Sequence, residues 1–335
     1  MILIDAVFVN NGGGKVLLDY LIESLEQTEI KVFYLLDNRI INKHPLVKEK
    51  NQILFIKANL IARHQFYRSH RETFSKILCF GNLPPSMRLS AEVFTYFHQP
   101  LFINIPMEVS WMNKFKIKSK MFILNKFKNN TNKWLVQSNN VKIGLCNKYK
   151  LKEKSIILMP FYPPMPRTND VIRKKNKFVY ISNLAIHKNH QRLIKAFCCF
   201  YDRFKLGELG LTICESATLE INALNSLQKK GYPITNYGFI KREKLADIFA
   251  SSEYLIFPSL AESFGLGIVE AIESGCKIIG ADLAYTYEIC QPSLTFDPMS
   301  INDLEYAFIR ASTENLPPTI KIINNKIKNL VKLLD

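Results

Sequence analysis

Two glutamates, Glu262 and Glu270, lie eight positions apart around a glycine-rich turn in the stretch ESFGLGIVE. A loop carboxylate can accept hydrogen bonds from sugar hydroxyls, and a helical one can accept both hydroxyls of a ribose, as in nucleotide sites. Gly265 and Gly267 would let backbone N–H groups approach phosphate or sugar oxygens. The pattern indicates a sugar or nucleotide site. The alternatives are a helix-dipole charge for Glu262 and a solvated position for Glu270.

Three further segments place glycine or polar residues directly after apolar, strand-like runs. Gly12, Gly13 and Gly14 open a strand-to-helix turn whose N–H groups could bind phosphate or a hydroxyl, although their spacing fits neither a dinucleotide fingerprint nor a P-loop. His98 ends the run VFTYF and could hydrogen-bond a sugar. Lys188 lies beside a helix N-terminus, a combination that suits a diphosphate. Taken singly, these are equally a tight turn, a structural histidine and a surface lysine.

Apolar, strand-like runs alternate with helix-like segments along the chain, from ILIDAVFV and VLLDYLIESLEQ to KIIGAD and SLTFDP. Parallel strands need long crossovers, so this rhythm predicts α/β domains with parallel sheets and ligands at the carboxyl ends of the strands. The proline-rich stretch 159–170 predicts a hinge. We expect domains over 1–165 and 166–315, facing each other across a cleft. Residues 316–335 should form an amphipathic helix that packs back on the body, with a membrane-lying helix as the alternative.

The composition excludes several classes of protein. Of 335 residues, 47% are apolar, which is enough for two cores and excludes disorder as the main state. The apolar runs are too short for a membrane span, and the start MILIDAVFVN has no signal-peptide pattern. The seven cysteines form an odd set without a C-x-x-C pair. We expect reduced core cysteines, no zinc site and a cytoplasmic protein.

Most of the positive charge lies in one segment. Residues 111–154 hold twelve lysines and one acidic residue, Glu153, so +11 of the net charge of +16 falls there. Such a patch attracts nucleic acid, an anionic membrane surface or a phosphorylated substrate. Within 111–134 the lysines are interleaved with aromatic residues, namely Trp111, Phe115, Phe122, Phe127 and Trp134. This mixture favours a peripheral contact with an anionic membrane, and a solvated lysine-rich face is the alternative.

The stretch from NYGFIKREK to AYTYEI, residues 236–289, resembles the carboxyl-terminal domain of the retaining glycosyltransferases of family 4, the group 1 enzymes. Their Glu-x7-Glu signature is met by Glu262 and Glu270, after a Phe-Pro-Ser strand end. FVYISNLAIHKNHQRLIKAF, WLVQSNN and LTFDPMSINDLEYAF also look like segments of this family. The resemblance implies a GT-B fold, which has two Rossmann-like domains.

The resemblance also implies roles for particular residues. Lys188 matches the lysine on the donor diphosphate, Glu262 the glutamate near the donor sugar, and Glu270 the one on the ribose. His98 matches a histidine near the transferred sugar. The remaining donor-binding positions are the amides of Phe264, Gly265, Leu266 and Gly267, the base segment Gly238, Phe239 and Ile240, and the first-domain loop Gly12, Gly13 and Gly14.

The sequence departs from the family pattern at two positions. The usual arginine after the strand before Lys188 is absent from Ser182-Asn183-Leu184, so one of two positive charges at the diphosphate is missing. The alternatives are a substitute such as Arg192, a different donor, or a slow enzyme. The Gly-Asp/Glu-Gly turn after the next strand is replaced by Cys214-Glu215-Ser216. The chain also has no Asp-x-Asp, so we expect transfer without a metal or other cofactor.

The resemblance leads us to expect a retaining, metal-independent glycosyltransferase. It would move a sugar from a nucleotide-diphosphate sugar to a hydroxyl of a glycan or polyprenyl-diphosphate-linked acceptor in lipopolysaccharide, O-antigen or capsule synthesis. We expect it on the cytoplasmic face of the inner membrane. A catalytically weak family member acting as a scaffold is the alternative suggested by Asn183. Nucleic-acid binding through the basic segment would leave the glutamate pattern unexplained.

Overall fold

The computed structural model describes residues 1–107, 109–166, 168 and 171–335 and divides the chain into two compact units. The first unit comprises Met1–Ile105, Ser110–Pro163 and Asn324–Asp335, and the second consists mainly of Pro164–Ile323. The chain thus leaves the first unit at Pro163, within the predicted hinge 159–170. Positions 167, 169 and 170 of that hinge lie outside the described residues.

The first unit is built on a parallel sheet with the strand order β3-β2-β1-β4-β5-β6-β7. Its strands are β1 (Ile2–Ala6), β2 (Val32–Asp37), β3 (Gln52–Ile56), β4 (Lys76–Cys79), β5 (Glu92–Phe97), β6 (Lys133–Val136) and β7 (Ile156–Leu158). The crossover helices are α1 (Gly12–Glu26), α2 (Leu60–Ser69), α3 (Trp111–Phe127) and α4 (Asn139–Tyr149). The central strands are rich in Ile, Leu, Val, Phe and Tyr and, apart from exposed Glu92 at the start of β5, are buried, because helices cover a parallel sheet on both faces.

The second unit repeats this plan with the order β10-β9-β8-β11-β12-β14. Its main strands and helices follow in chain order: β8 (Lys174–Tyr180), α5 (His190–Phe204), β9 (Glu208–Leu211), α6 (Thr218–Lys229), β10 (Ile234–Asn236), α7 (Arg242–Ser251), β11 (Ser252–Phe257), α8 (Leu266–Glu273), β12 (Lys277–Ala281), α9 (Ala284–Ile289), β13 (Cys290–Gln291), β14 (Leu294–Phe296) and α10 (Ile301–Thr313). The prediction of two parallel-sheet α/β domains is confirmed.

Each sheet has a point where the strand order reverses. In the first unit, β1 pairs with β2 on one side and with β4 on the other, and β5 lies beside β4. In the second unit, β8 pairs with β9 on one side and with β11 on the other. Loops leaving the carboxyl ends of neighbouring strands diverge at such a point and leave a crevice. Most of the candidate residues follow strands at these two points.

The terminal segment is not the single helix predicted over 316–335. Ile320–Lys321 form a short strand, β15, which pairs antiparallel with β13. The amides of Ile322 and Ile323 both donate to the carbonyl of Ile289, at 2.8 and 3.1 Å. These donors are therefore taken up by the contact with Ile289, and the helix α11 begins only at Ile327 and ends at Leu334. It contacts α1 of the first unit and buries Ile327, Leu330 and Leu334.

Among the described helices, none combines the length and the apolar character that a bilayer span requires.

Candidate active site

Lys188 and Glu262 meet at the strand-order reversal of the second unit. Lys188 follows β8 and Glu262 follows β11, and Lys188 Nζ lies 2.5 Å from Glu262 Oε1. The lysine and glutamate side chains are 15% and 11% exposed, so the pair is largely shielded while one edge faces solvent. A cation and a carboxylate placed together in this way can bind an anion and a hydroxyl side by side.

The loop that carries Lys188 is fixed by a residue that the sequence analysis missed, Asn189. It adopts a left-handed conformation with φ of 62°, which asparagine tolerates better than most residues. Its carboxamide nitrogen donates to the carbonyls of Pro258, at 3.1 Å, and Pro298, at 2.7 Å. The Tyr180 hydroxyl also donates to the Lys188 carbonyl at 2.9 Å. The lysine is thereby attached to the end of β11, where the Glu262 loop begins.

A glycine is required at the turn between Glu262 and α8. Gly265 has φ of 76°, and a Cβ there would lie 2.9 Å from Ile289 Cδ1, closer than real side-chain contacts. The helix starts at Leu266, so the amides of Leu266 and Gly267 belong to the first turn, where N–H groups have no acceptor within the helix. These amides can donate to sugar or phosphate oxygens. The Phe264 side chain is buried.

Glu270 is not a solvated helix residue. It is buried on α8, and its Oε1 lies 2.5 Å from Nη1 of Arg242, the first residue of α7. Burial raises the pKa of Glu270 above its ordinary value, while Arg242 acts in the opposite direction and nearby Glu273 adds to the rise. The sequence analysis did not single out Arg242, because nothing in its local sequence predicts contact with a residue 28 positions later.

Arg242 also contacts the segment where the chain enters the second unit. Its Nη2 lies 3.3 Å from the Pro164 carbonyl and 3.2 Å from Met165 Sδ. Glu273, one turn after Glu270, accepts the Met165 amide at 3.1 Å. The Glu270 carboxylate and the entering segment therefore share one guanidinium.

The segment assigned to the base lies between β10 and α7. Gly238 has φ of 64°, and its amide donates to Asn236 Oδ1 at 3.2 Å. Phe239 is 89% exposed. A cavity of about 710 Å³ is lined by Phe239 and Ile240 together with residues of α7, and Lys188, Glu262 and Glu270 are not among its lining residues. The cavity therefore borders the base segment without including the lysine or either glutamate.

Asn183, which stands where the family has an arginine, is exposed in the loop after β8. Its carbonyl accepts a hydrogen bond from Ser182 Oγ at 3.2 Å. Arg192, the suggested substitute, donates from Nη1 to Asn189 Oδ1 at 2.9 Å. Arg192 thus helps to hold the residue that fixes the Lys188 loop.

His98 and the glycine turn come together at the strand-order reversal of the first unit. His98 directly follows β5, and a Cβ at Gly14 would lie only 3.2 Å from His98 Nε2. Gly12 begins α1 with φ of 62°, and Gly13 lies between these two glycines on the exposed first turn. The ring also contacts Asn82, which lies in the turn after β4 and was not among the residues singled out from the sequence.

Burial lowers the pKa of His98 to about 4, so its imidazole is neutral near pH 7.

Within the part of the chain that the structure describes, no three His, Cys, Asp or Glu side chains are grouped as metal ligands. Metal-independent transfer therefore stays a prediction.

The sequence of residues 165–314 matches the family model described as "Glycosyl transferases group 1". This region belongs to the group 1 glycosyl transferases. The group 1 region contains Lys188, Glu262, Glu270 and Arg242, and its first residue is Met165, which Arg242 contacts.

Curated relatives match parts of the chain. Mannosylfructose-phosphate synthase of Agrobacterium fabrum is 26% identical over 155 residues, in an alignment that covers 40% of this chain and 34% of that protein. The serotype-specific mannosyltransferase WbdA of Escherichia coli is 29% identical over 120 residues, 34% of this chain and 14% of that protein. The matches therefore span only a minor part of either relative.

Solved structures resemble the chain over nearly its whole length. Sucrose-phosphate synthase of Thermosynechococcus elongatus has a TM-score of 0.74 at 15% identity, with 99% of this chain and 94% of that chain covered. WaaG, a glycosyltransferase involved in lipopolysaccharide biosynthesis, has a TM-score of 0.67 at 10% identity, with 99% of each chain covered. At these identities the likeness concerns the fold, which is GT-B.

Proposed function

We propose that the protein is a retaining glycosyltransferase that moves a sugar from a nucleotide-diphosphate sugar to a hydroxyl of a glycan acceptor. The observation that carries this proposal is the Lys188–Glu262 pair at the crevice of a group 1 glycosyltransferase region. The lipopolysaccharide-related WaaG and the mannosyltransferase WbdA among its relatives support a role in lipopolysaccharide, O-antigen or capsule synthesis.

In the proposed reaction, the bond from the anomeric carbon to the diphosphate breaks as the acceptor oxygen bonds to that carbon from the same face. The acceptor proton passes to the departing phosphate oxygen. Lys188 exchanges its contact with Glu262 for the diphosphate, and the amides of Leu266 and Gly267 donate to the same charge. Glu262 then accepts hydrogen bonds from sugar hydroxyls. Preorganised donors of this kind typically contribute about 10²–10³-fold each to a rate.

Glu270 and the segment Gly238–Ile240 complete the proposed donor site. The Glu270 carboxylate accepts the ribose hydroxyls, and the backbone near exposed Phe239 holds the base. No metal takes part in this proposal, because Lys188 and helix amides supply the positive charge at the leaving group. Loss of activity on addition of EDTA, restored by Mg²⁺, would contradict that part.

The donor site can be tested by calorimetry and thermal shift with UDP, GDP, ADP, CMP and their sugar conjugates, without metal. We expect one nucleoside diphosphate to stabilise the protein, and Glu270→Ala to lose that stabilisation. Transfer is then measured with the matching nucleotide sugar. If the protein bound none of these nucleotides or nucleotide sugars, the proposed function would be contradicted.

Helix α3 supports the proposed contact with an anionic membrane. Trp111, Phe115 and Phe122 are 78%, 72% and 71% exposed, and a period of 3.6 residues places them within about 40° of one another. Leu124, the one buried residue of this helix, lies on the opposite face. The helix carries five lysines and no acidic residue. Exposed aromatic rings beside lysines suit the headgroup region of the cytoplasmic face of an inner membrane, where a lipid-diphosphate-linked acceptor would be found.

Sedimentation with vesicles of phosphatidylethanolamine and phosphatidylglycerol tests this contact. Replacing Trp111, Phe115 and Phe122 with serine should lower binding at least tenfold, because the apolar surface that enters the headgroup layer is removed. Ile61→Ser, at a 72% exposed position on α2, is the matched control. Undiminished vesicle binding by the triple variant would contradict the proposal. Salt-dependent binding to DNA without vesicle binding would favour a nucleic-acid partner instead.

A second candidate function, a catalytically weak scaffold, is favoured by one observation: exposed Asn183 replaces the expected arginine. Comparing the surface glycan of a host strain that lacks the gene with that of a strain carrying Glu262→Ala distinguishes the catalytic function from the scaffold function. Loss of the surface glycan in both strains supports catalysis. An unchanged glycan in the Glu262→Ala strain, with loss in the deletion strain, supports the scaffold.

A further inference from the structure

Asn82 contacts His98 in two places at once. Its Oδ1 accepts the His98 backbone amide at 2.6 Å, and its Nδ2 lies 3.2 Å from His98 Nε2. The two residues follow the neighbouring strands β4 and β5. One side chain thus fixes both the backbone and the ring of the histidine.

The first of these contacts determines the second. A backbone N–H can only donate, so the oxygen of the Asn82 carboxamide must face it and the NH2 group must face the ring. Because an NH2 group can only donate, Nε2 must offer its lone pair. The neutral imidazole then carries its proton on Nδ1. Nδ1 is buried and has no hydrogen-bond partner among the described residues.

Asn82 is itself held in place. It has φ of 66°, a left-handed conformation. The carbonyls of the next two residues, Leu83 and Pro84, each accept a hydrogen bond of 2.8 Å from the buried guanidinium of Arg63. Arg63 Nε lies 2.6 Å from Asp5 Oδ2 on β1. The turn is therefore tied to β1, whose following loop contains the glycines.

The position of Nε2 indicates what it faces. A Cβ on Gly14 would be 3.2 Å from this atom, so the ring lies against the backbone of the glycine turn, and a side chain at position 14 would require the ring to shift by a few tenths of an ångström. The apolar rings of Phe80 and Tyr96, which stack on each other, also pack near the His98 ring, at centroid distances of 5.4 and 6.1 Å. The lone pair of Nε2 is therefore the polar feature that the ring offers at this turn.

We propose that Asn82 is a positioning residue that holds His98 with the Nε2 lone pair toward the glycine turn, so that the ring accepts a hydrogen bond from a hydroxyl of the transferred sugar. When the sugar binds, its hydroxyl replaces Asn82 Nδ2, which lies 3.2 Å away, as the donor to the Nε2 lone pair. This inference rests on the proposed glycosyl transfer. It adds that the histidine recognises a hydroxyl as a donor and does not itself donate a proton there.

The variant Asn82→Asp tests the inference. One carboxylate oxygen can still accept the His98 amide, but the other can only accept, so Nε2 must become protonated. We expect nitrogen NMR of the histidine side chains to show Nδ1–H in the unaltered protein and Nε2–H in Asn82→Asp. The value of kcat/KM for the nucleotide sugar should fall at least tenfold, while the affinity for the sugar-free nucleoside diphosphate stays unchanged.

Asn132→Asp is the matched control. Asn132 Oδ1 accepts the Val93 amide at 2.7 Å near the start of the same strand, so this variant adds an equal charge to the same unit. It should leave the His98 tautomer and kcat/KM unchanged. An equal loss of kcat/KM in Asn132→Asp would overturn the assignment, since the effect would then be one of charge alone.

The two proposals fail in distinguishable ways. Active protein with Nε2–H, or an Asn82→Asp variant with full kcat/KM, would contradict the role of Asn82 and leave glycosyl transfer intact. Protein with Nδ1–H that neither binds nor transfers a nucleotide sugar would contradict the proposed function and, with it, the sugar contact.

Discussion

Removing Arg242 should make the stability of the second unit depend on pH in a defined way. The variant Arg242→Ala leaves the buried Glu270 carboxylate without the cation that lies 2.5 Å away. Breaking a fully buried pair costs about 3–5 kcal/mol. Because the Arg242 side chain is 25% exposed, solvent replaces part of the interaction, and we expect a loss of about 1–3 kcal/mol at neutral pH.

The sign of the pH dependence follows from the pKa of Glu270. Its folded-state pKa is raised above 4.5 by burial, so the folded protein favours the protonated carboxyl and loses stability as the pH rises from 4.5 through the folded pKa. Without Arg242 the pKa of Glu270 rises further. A rise of one in this pKa lowers the free energy of unfolding at neutral pH by about 1.36 kcal/mol. Near pH 4.5 the variant should therefore differ from the unaltered protein only by the small loss of the Arg242 contacts to Pro164 and Met165, and its stability should fall progressively further below that of the unaltered protein as the pH rises.

Thermal unfolding of the ligand-free proteins between pH 4.5 and 8.5 measures this difference. A unit of this size should lose about 2–4 °C in Tm for each kcal/mol. Glu270→Gln is the control background, because an amide does not titrate. In the Glu270→Gln background, Arg242→Ala should lower Tm by a small amount that does not change with pH. A Tm difference that is independent of pH, or that persists unchanged in the Glu270→Gln background, would refute the argument.

Three further predictions concern single contacts. Gly265→Ala should destabilise the second unit by about 1–3 kcal/mol in chemical denaturation, because the residue needs φ of 76° and its Cβ would meet Ile289, and an effect near zero would contradict this geometry. Lys188→Ala should weaken binding of the nucleoside diphosphate by about 1.5–3 kcal/mol in calorimetry and leave binding of the nucleoside unchanged. An equal loss of affinity for the two ligands would show that the lysine does not contact the diphosphate. Arg63→Met should destabilise the first unit by about 3–5 kcal/mol, because it leaves Asp5 as a buried charge without its cation. Adding Asp5→Leu should recover most of that loss. Additive losses in the double variant would show that the two residues are not energetically coupled.

The alternation of apolar runs was sufficient to predict the two parallel sheets. Strands such as β2 and β11 are continuous apolar segments, and their pattern does not depend on distant residues. The placement of Lys188 and Glu262 could also be anticipated, because both follow strands that a reversal in strand order brings together. Local sequence and a topological rule therefore accounted for these features.

The contacts of Glu270 and His98 could not be obtained in this way. The Arg242–Glu270 and Asn82–His98 pairs join residues 28 and 16 positions apart in different loops and helices, and each depends on side-chain orientation. The sequence around Arg242 and around Asn82 contains no pattern that predicts which residue either side chain contacts. The tail shows the opposite error: a helical apolar period at Ile320 and Ile323 was overridden by hydrogen bonds to β13 and the Ile289 carbonyl.

The first unit includes the segment Asn324–Asp335, although all of its other residues precede Pro164. During synthesis, the strands β1 to β7 leave the ribosome before the second unit, but α11, which contacts α1 and buries Leu330 and Leu334, is made after it. The main segment of the second unit, Pro164–Ile323, is finished before α11 is made. The first unit is therefore completed only after the main segment of the second unit has been made, and a nascent chain halted before Asn324 exposes the apolar surface of α1 that α11 would cover.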